Sequence, residues 1–343
     1  MISEVDGLRT IAVLNQKGGV GKTTTVVNVA AALAAAGRRV IVIDLDPQAH
    51  LTIHLGVEPQ AIGSSAYEVL TQSADFLQSL MLVRPNLWLL AANINLVGAE
   101  TELVSVVGRE IILREAMQGC QDQFDFCLID CAPSLGLLSL NALATAQEVL
   151  IPLQPHFLAL QGFGKLLQTV DLVNKRINPR LRVTGVLLCM HDTRASLPNE
   201  VRADIKRFLN SARGSNNAWS QAELLPTFIR RNIKLAEAPS YGRTIFEYDP
   251  DCNGAEDYAR VAKFFLGIED KPEETPAAAP AEQIIPSTPP EETPPVTPPI
   301  EIREVSLPVP QCYMPAPVCT EPSAPATEPS PPKPPGDVPI GIP

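Results

Sequence analysis

Residues 10–24 read TIAVLNQKGGVGKTT, and this stretch decides the fold. The apolar run at residues 10–14 predicts a buried strand, and the alanine-rich stretch at residues 22–36 predicts a helix. The glycine-rich loop between them lets main-chain N–H groups converge on phosphate oxygens at the start of that helix. In such a loop Lys22 contacts phosphate and the Thr23 hydroxyl ligates Mg²⁺. The predicted nucleotide-binding residues are Lys17, Gly18, Gly19, Val20, Gly21, Lys22, Thr23 and Thr24.

Two residues depart from the usual phosphate-binding pattern, which begins with glycine and contains one lysine. Gln16 occupies the position of the first glycine, and Lys17 adds a second lysine five residues before Lys22. The loop alone does not explain what the second lysine does.

The rest of residues 8–266 alternates short apolar runs with longer helical patterns, which is typical of βαβ units. We predict an α/β fold with a doubly wound, mostly parallel sheet flanked by helices. Further strands are expected at residues 40–43, 87–90, 126–129, 148–151, 183–188 and near 227–229. Polar residues at the carboxyl ends of these strands mark the edge where such sheets bind ligands.

Three aspartates follow two of these strands. Asp44 and Asp46 end the second strand, and Asp130 ends the apolar run at residues 126–129. Carboxylates at this edge can serve a metal ion and an attacking water. We therefore expect a Mg²⁺ site formed by Thr23, Asp44, Asp46 and Asp130.

The composition changes near residue 270, since 23 of the 34 prolines lie between Pro272 and Pro343. Residues 1–270 carry enough apolar material for one large core, whereas residues 271–343 are rich in Pro, Glu, Thr, Ala and Ser. We predict a nucleotide-binding domain at 1–270 and a disordered, proline-rich tail at 271–343. The tail has ten acidic and three basic residues, so it carries most of the formal net charge of −11.

The seven cysteines show no paired framework, and several lie in apolar runs, as expected for free thiols in a reducing compartment. The start of the sequence lacks a signal-peptide pattern, and no apolar run approaches the ~20 residues that a membrane span needs. We expect a cytoplasmic protein without a membrane partner.

Four motifs resemble the ParA/Soj family of chromosome- and plasmid-partitioning ATPases, over residues 10–266. They are KGGVGKTT at 17–24, DLDPQ at 44–48, DCAPSLG at 130–136 and LAEAPSYG at 235–242. The resemblance implies ATP and Mg²⁺ as cofactors and slow ATP hydrolysis. Lys17, Lys22 and Asp46 would then be catalytic, with Asp46 positioning the attacking water and Asp44 supporting the metal.

The resemblance also implies what Lys17 does. In this family the signature lysine reaches the nucleotide of a partner subunit when two ATP-bound monomers close into a homodimer. A ParB-like partner would stimulate hydrolysis, and the dimer would bind duplex DNA of any sequence over the nucleoid.

An acidic protein can bind DNA only through a local basic surface. Residues 194–243 contain nine basic and four acidic residues. The resemblance places Arg194 and Lys234 at DNA-contact positions, and we add Arg231 from the same basic stretch.

Several other classes of protein share this kind of phosphate-binding loop but have other functions. A division-site ATPase of the MinD type would need a terminal amphipathic helix, which the proline-rich tail cannot form. A nitrogenase-iron-protein-type reductase would need cysteines placed between subunits, and a bacterial tyrosine kinase a terminal tyrosine cluster. Two alternatives stay open: a ParA-like ATPase that positions a non-DNA cargo, and a non-enzymatic protein that holds nucleotide as a structural ligand.

Overall fold

A computed structural model of the protein describes residues 7–156, 159–192 and 196–268, without the side chains of 159–161, 196 and 197. In this part an eight-stranded sheet has the order β3-β4-β2-β5-β1-β6-β7-β8. Only β3 runs antiparallel to its neighbour; the other pairs are parallel. The strands are β1 Arg9–Val13, β2 Val40–Leu45, β3 Met81–Arg84, β4 Leu87–Leu90, β5 Phe126–Cys131, β6 Glu148–Leu153, β7 Arg182–Leu188 and β8 Glu223–Leu224.

Helices cover both faces of the sheet. They are α1 Lys22–Ala35, α2 His50–His54, α3 Ala66–Leu70, α4 Leu96–Glu102, α5 Ile112–Ala116, α6 Leu137–Thr145, α7 Ala159–Arg176, α8 Ser196–Ser211, α9 Lys234–Glu237, α10 Ile245–Tyr248 and α11 Asn253–Leu266. Short 3-10 turns lie at Pro59–Ala61, Leu103–Ser105 and Ala238–Tyr241. None of these helices, in the described part of the chain, combines the length and apolarity that crossing a membrane requires.

The sheet is buried on both faces because its central strands are continuously apolar. Every residue of β2 and of β5 is buried. One core cluster packs α1 and α11 against one face, with Leu33 and Tyr258 among its members, and the other packs α3 to α8 against the opposite face. The predicted doubly wound α/β fold is confirmed.

Two strands differ from the sequence prediction. The last strand lies at Glu223–Leu224 rather than near residues 227–229. Pro226 lacks an N–H group and cannot continue the ladder, and pairing with the end of β7 resumes only as an isolated bridge between His191 and Arg230. Strand β3 was not predicted; it is a partly exposed edge strand, so it lacks the apolar run that marks buried strands.

Strand β1 lies between β5 and β6, so successive units wind outward from it in opposite directions. The crevice at this reversal lies at the carboxyl ends of the strands, where the loop at residues 14–21 follows β1. The predicted boundary at residue 270 and the predicted tail at 271–343 lie outside the described residues.

Candidate functional site

The loop at residues 14–21 folds back over the end of β1 because two glycines adopt conformations that other residues avoid. Gly19 has φ +71° and Gly21 has φ +94°. Gly21 precedes the first turn of α1, and a Cβ atom there would lie 3.6 Å from the sulfur of the buried Cys189. The loop therefore presents its main chain at the N-terminus of a 14-residue helix, as a phosphate site requires.

Asn15 fixes the start of this loop. Its side-chain amide donates to the Pro152 carbonyl of β6 at 2.7 Å, and its Oδ1 accepts the main-chain N–H of Lys17 at 3.0 Å. In the sequence Asn15 is one of the polar residues that follow a predicted strand. The structure shows that it anchors the loop to the neighbouring strand.

Lys22 lies inside the loop, where its side chain can meet a phosphate. Only 7% of the residue is exposed, and its ammonium donates to the Lys17 carbonyl at 3.3 Å. Burial lowers the pKa of Lys22, and the carboxylates of Asp130 and Asp46 oppose that shift. An anion bound in the loop would stabilise the charged ammonium.

Thr23 and Asp130, two of the predicted metal ligands, are in contact. The Thr23 hydroxyl donates to Asp130 Oδ2 at 2.6 Å, while the buried Oδ1 atom has no hydrogen-bond partner among the described residues. Burial, and secondarily the charge of Asp44, raises the pKa of Asp130 well above its usual range. A hydroxyl beside an unpartnered buried carboxylate oxygen fits Mg²⁺, a hard cation that prefers oxygen ligands.

Asp44 has both carboxylate oxygens occupied by protein groups. Oδ2 accepts the main-chain N–H and the hydroxyl of Thr52 at 2.9 and 2.8 Å, and Oδ1 accepts the N–H of Asp46 at 3.1 Å. Burial raises its pKa to about 6, against the opposing effect of the Thr52 bonds. The structure gives Asp44 a positioning contact, and its predicted place among the metal ligands stays a prediction.

Asp46 lies at the solvent side of the same turn. Its Oδ1 accepts the Gln48 N–H at 3.0 Å, and its carbonyl accepts the N–H of Ala49, which has φ +54°, at 2.8 Å. This tight turn directs a half-buried carboxylate toward the carboxyl edge of the sheet. The predicted sites at Lys22, Thr23, Asp46 and Asp130 are thus brought together at one edge.

Lys17 is exposed, and its ammonium contacts the Nε2 atom of His156, which follows β6. The pKa of His156 is lowered, first by burial and then by the Lys17 charge. Both residues line an open cavity of about 250 Å³ that also contacts Asn15 and Phe163. Sequence reasoning missed His156, because nothing in its local pattern connects it with a loop more than a hundred residues earlier.

The predicted DNA contacts have different surroundings. Arg231 is exposed, and its side chain has no hydrogen bond or ion pair to the described residues. The Lys234 ammonium is 3.0 Å from Glu237 and 5.7 Å from the centre of the Tyr248 ring, and the Glu237 bond raises its pKa. Arg194 lies outside the described residues.

Arg230, which precedes the predicted DNA contact Arg231, has a structural role. Its guanidinium contacts Asp257 Oδ1 at 2.6 Å and Glu256 at 2.5 Å, and its main-chain N–H donates to Asp257 at 2.8 Å. Asp257 is 2% exposed, so this pair fastens the end of the sheet to α11.

The sheet topology, the glycine loop and the Thr23–Asp130 pair define a P-loop nucleotide-binding protein. A family model described as an AAA domain matches residues 8–183. The sporulation initiation inhibitor protein Soj of Bacillus subtilis is 42% identical over 256 residues, which are 74% of this chain and 97% of that protein. The chromosome-partitioning ATPase Soj of Treponema pallidum is 40% identical over 74% of this chain and 96% of its own length. The chain belongs to the ParA/Soj family, and the predicted resemblance is confirmed.

Solved structures of similar proteins support the fold of this chain and the prediction that it binds ATP and Mg²⁺. A structure titled cobyrinic acid a,c-diamide synthase from Mycobacterium smegmatis, with bound ADP and magnesium, is 36% identical with a TM-score of 0.64, over 76% of this chain and 94% of that one. Apo McdA from Cyanothece has a TM-score of 0.66 over 76% of this chain and all of its own, but at 22% identity it shows the fold alone. The chain is an ATPase whose cofactors are ATP and Mg²⁺, and the non-enzymatic alternative is wrong.

Proposed function

We propose that the chain is a DNA-partitioning ATPase that dimerises when it binds ATP. The dimer binds duplex DNA of any sequence, and a ParB-like partner stimulates hydrolysis and so releases the protein from DNA. This cycle would segregate chromosomal or plasmid DNA. The curated relatives that carry the name Soj, at 40 and 42% identity, support this proposal.

Hydrolysis would combine groups of one subunit's own site with Lys17 from a second copy. Lys22 and the main-chain N–H groups of the loop hold the phosphates, and Asp46 orients the attacking water. Thr23 and Asp130 would hold Mg²⁺, which supplies neutralisation of the phosphate charge when bound. None of the described residues hydrogen-bonds Asp130 Oδ1, and burial disfavours the charged form of this carboxyl, so a cation there would stabilise the ionised carboxylate.

The observation that carries the proposal is the pair of lysines in one loop. Lys22 is buried against the loop, whereas the exposed Lys17 ammonium lies beside His156, at an open cavity. A second triphosphate brought by another copy would attract Lys17 away from a neutral imidazole, because a charge-assisted contact is stronger. ATP would thereby become part of the dimer interface.

DNA binding would depend on that dimer. The exposed Arg231 and the partly exposed Lys234 lie after β8, near the end of β7. A single copy with few phosphate contacts binds weakly at physiological salt, and a dimer doubles their number. ATP would then raise DNA affinity because it doubles the number of phosphate contacts by forming the dimer.

The alternative in which the ATPase positions a non-DNA cargo has weaker support. McdA shares only the fold with this chain, since the identity is 22%. Relatives at 37 to 42% identity include proteins named Soj and chromosome partitioning protein ParA, so we prefer DNA partitioning.

Phosphate release tests the proposed chemistry directly. The parent should hydrolyse ATP slowly, faster with duplex DNA and a cognate ParB-like protein, and Asp46→Ala should still bind ATP but release no phosphate. Hydrolysis by Asp46→Ala at the parent's rate would contradict the role given to this carboxylate.

A further inference from the structure

The turn that carries Asp46 is held by a short, fully buried hydrogen-bond chain. Thr52 on α2 and Asp44 at the end of β2 are both 0% exposed. The Thr52 hydroxyl donates to Asp44 Oδ2 at 2.8 Å, and Asp44 Oδ1 accepts the Asp46 N–H at 3.1 Å. One hydroxyl is therefore two hydrogen bonds away from the main chain of Asp46.

The same hydroxyl also accepts a hydrogen bond from another strand's end. The N–H of Ala92, two residues after β4, donates to Thr52 Oγ1 at 2.9 Å, and Ala92 is 0% exposed. Since β4 and β2 are neighbours in the sheet, Thr52 connects their carboxyl ends by hydrogen bonds. The hydroxyl donates once and accepts once, so both bonds depend on it.

Asp46 has little other support. Its side chain accepts the Gln48 N–H within the turn itself. No described residue outside residues 44–49 donates to its carboxylate or accepts from its N–H. The turn also contains Ala49 at φ +54°, a conformation that a non-glycine residue keeps only when its surroundings hold it. The Asp44–Thr52 chain supplies that hold.

We propose that Thr52 is a positioning residue for ATP hydrolysis, which fixes the Asp46 carboxylate through Asp44 and ties it to the end of β4. The inference rests on the proposed function, in which Asp46 orients the attacking water. Thr52 touches no reacting atom, so its loss should lower turnover and leave ATP binding nearly intact. The phosphates are held by the loop before α1, and Thr52 makes no contact with that loop among its described hydrogen bonds.

The test compares Thr52→Val, which keeps the shape and removes the hydroxyl, with Thr52→Ser, which keeps the hydroxyl. Thr71→Val is the matched control, because the Thr71 hydroxyl bonds within the α3 turn, to the Tyr67 carbonyl. Full-length proteins are loaded with radiolabelled ATP and Mg²⁺, and phosphate release is divided by bound ATP, so that only folded molecules are counted.

Thr52→Val should lower kcat between about tenfold and about a hundredfold, with KM changed less than about threefold, because small misplacements of a catalytic group have effects of this size. Thr52→Ser and Thr71→Val should stay within about threefold of the parent. If Thr52→Val does not fold, Thr52→Ala is assayed in the same way with the same expected result.

Parental turnover by Thr52→Val while Asp46→Ala is inactive would overturn the inference and leave the proposed function standing. An equal loss in Thr52→Ser would also overturn it, because the hydroxyl would not be what matters. Parental turnover by Asp46→Ala would instead overturn the proposed role of Asp46, and the positioning role with it.

Discussion

Asp44 and Asp130 are register partners on the adjacent strands β2 and β5, and both carboxylates are buried. Asp44 accepts hydrogen bonds at both carboxylate oxygens, whereas in the described part of the chain no group hydrogen-bonds Asp130 Oδ1. Burial raises the pKa of both groups, and the charge of Asp44 raises the pKa of Asp130 further. Ionisation of both carboxylates is therefore unfavourable without a cation, and a bound cation would stabilise the ionised pair.

Asp130→Asn should therefore weaken Mg²⁺ dependence without weakening the fold. We expect the Mg²⁺ concentration for half-maximal hydrolysis to rise at least about tenfold, since a metal-binding group is lost. The thermal midpoint without Mg²⁺ should be equal to or above that of the parent, because burial and the Asp44 charge disfavour the ionised carboxylate, whereas an amide cannot ionise. Asp125→Asn is the control, because Asp125 pairs with Arg39 at the opposite edge of the sheet. A clear loss of metal-free stability in Asp130→Asn would contradict this account.

The combined change Arg231→Glu and Lys234→Glu should abolish DNA retention at moderate salt and spare ATP-dependent dimerisation. A phosphate contact contributes about one to the slope of log affinity against log salt, so the slope should fall by about two per protomer. Fluorescence anisotropy with duplexes of unrelated sequence gives both values.

Arg38→Glu is the control for charge. Arg38 is exposed just before β2, at the edge of the sheet opposite the nucleotide loop. It should bind DNA nearly as the parent does. Equal losses in the control and in the double variant would show that net charge rather than this surface governs binding.

His54 should make the fold less stable in mild acid. It is 2% exposed, and burial lowers its pKa from 6.5 to about 4. Between these values the unfolded chain binds a proton that the folded chain does not, so stability falls as pH falls. Between pH 7 and pH 5 the titration of His54 should lower the free energy of unfolding by about 2 kcal/mol.

Urea unfolding of His54→Gln at pH 7 and pH 5 measures this effect. The difference in unfolding free energy between the two pH values should shrink by about 2 kcal/mol relative to the parent. His50→Gln, on the same helix but exposed, should leave the difference unchanged. An unchanged pH dependence in His54→Gln would mean that this ring titrates normally.

Breaking the Arg230–Asp257 pair should destabilise the fold. Arg230→Ala removes the guanidinium that contacts the buried Asp257 carboxylate. Of the bonds between these two residues, only the one from the main-chain N–H of residue 230 remains. We expect a loss of about 2 to 3 kcal/mol by denaturant unfolding. Arg260→Ala, which loses an exposed pair with Glu256, should cost less than about 1 kcal/mol. Equal effects of the two substitutions would show that the burial of Asp257 does not matter.

The sequence predicted the parts of this molecule that are local. The strand, loop and helix at residues 10–36 are contiguous, and the apolar runs of β2 and β5 identify themselves by composition. Asp46 and Asp130 could be predicted as site residues because they lie at the ends of such runs, and their roles stay predictions. Edge strand β3 was missed because its side chains are partly exposed and its pattern is weak.

The contacts between distant residues could not be predicted in this way. His156 meets Lys17 across 139 positions, and Ala92 meets Thr52 across 40, so neither pair leaves a local pattern. Asp44 was predicted as a metal residue from its spacing, and its bonds to Thr52 depend on how α2 packs. Side-chain roles of this kind follow from the fold rather than from the motif.

The central claim is that ATP, through Lys17, converts a monomer into a DNA-binding dimer. Sedimentation velocity with Mg²⁺ and either ATP or ADP, with and without duplex DNA, measures this directly, and Asp46→Ala keeps ATP intact during the run. We predict a dimer that retains DNA only in ATP, and a Lys17→Ala variant that binds ATP but stays monomeric and does not hydrolyse it. Equal DNA retention in ADP and ATP, or ATP-dependent dimerisation and hydrolysis by Lys17→Ala at the parent's level, would contradict the claim.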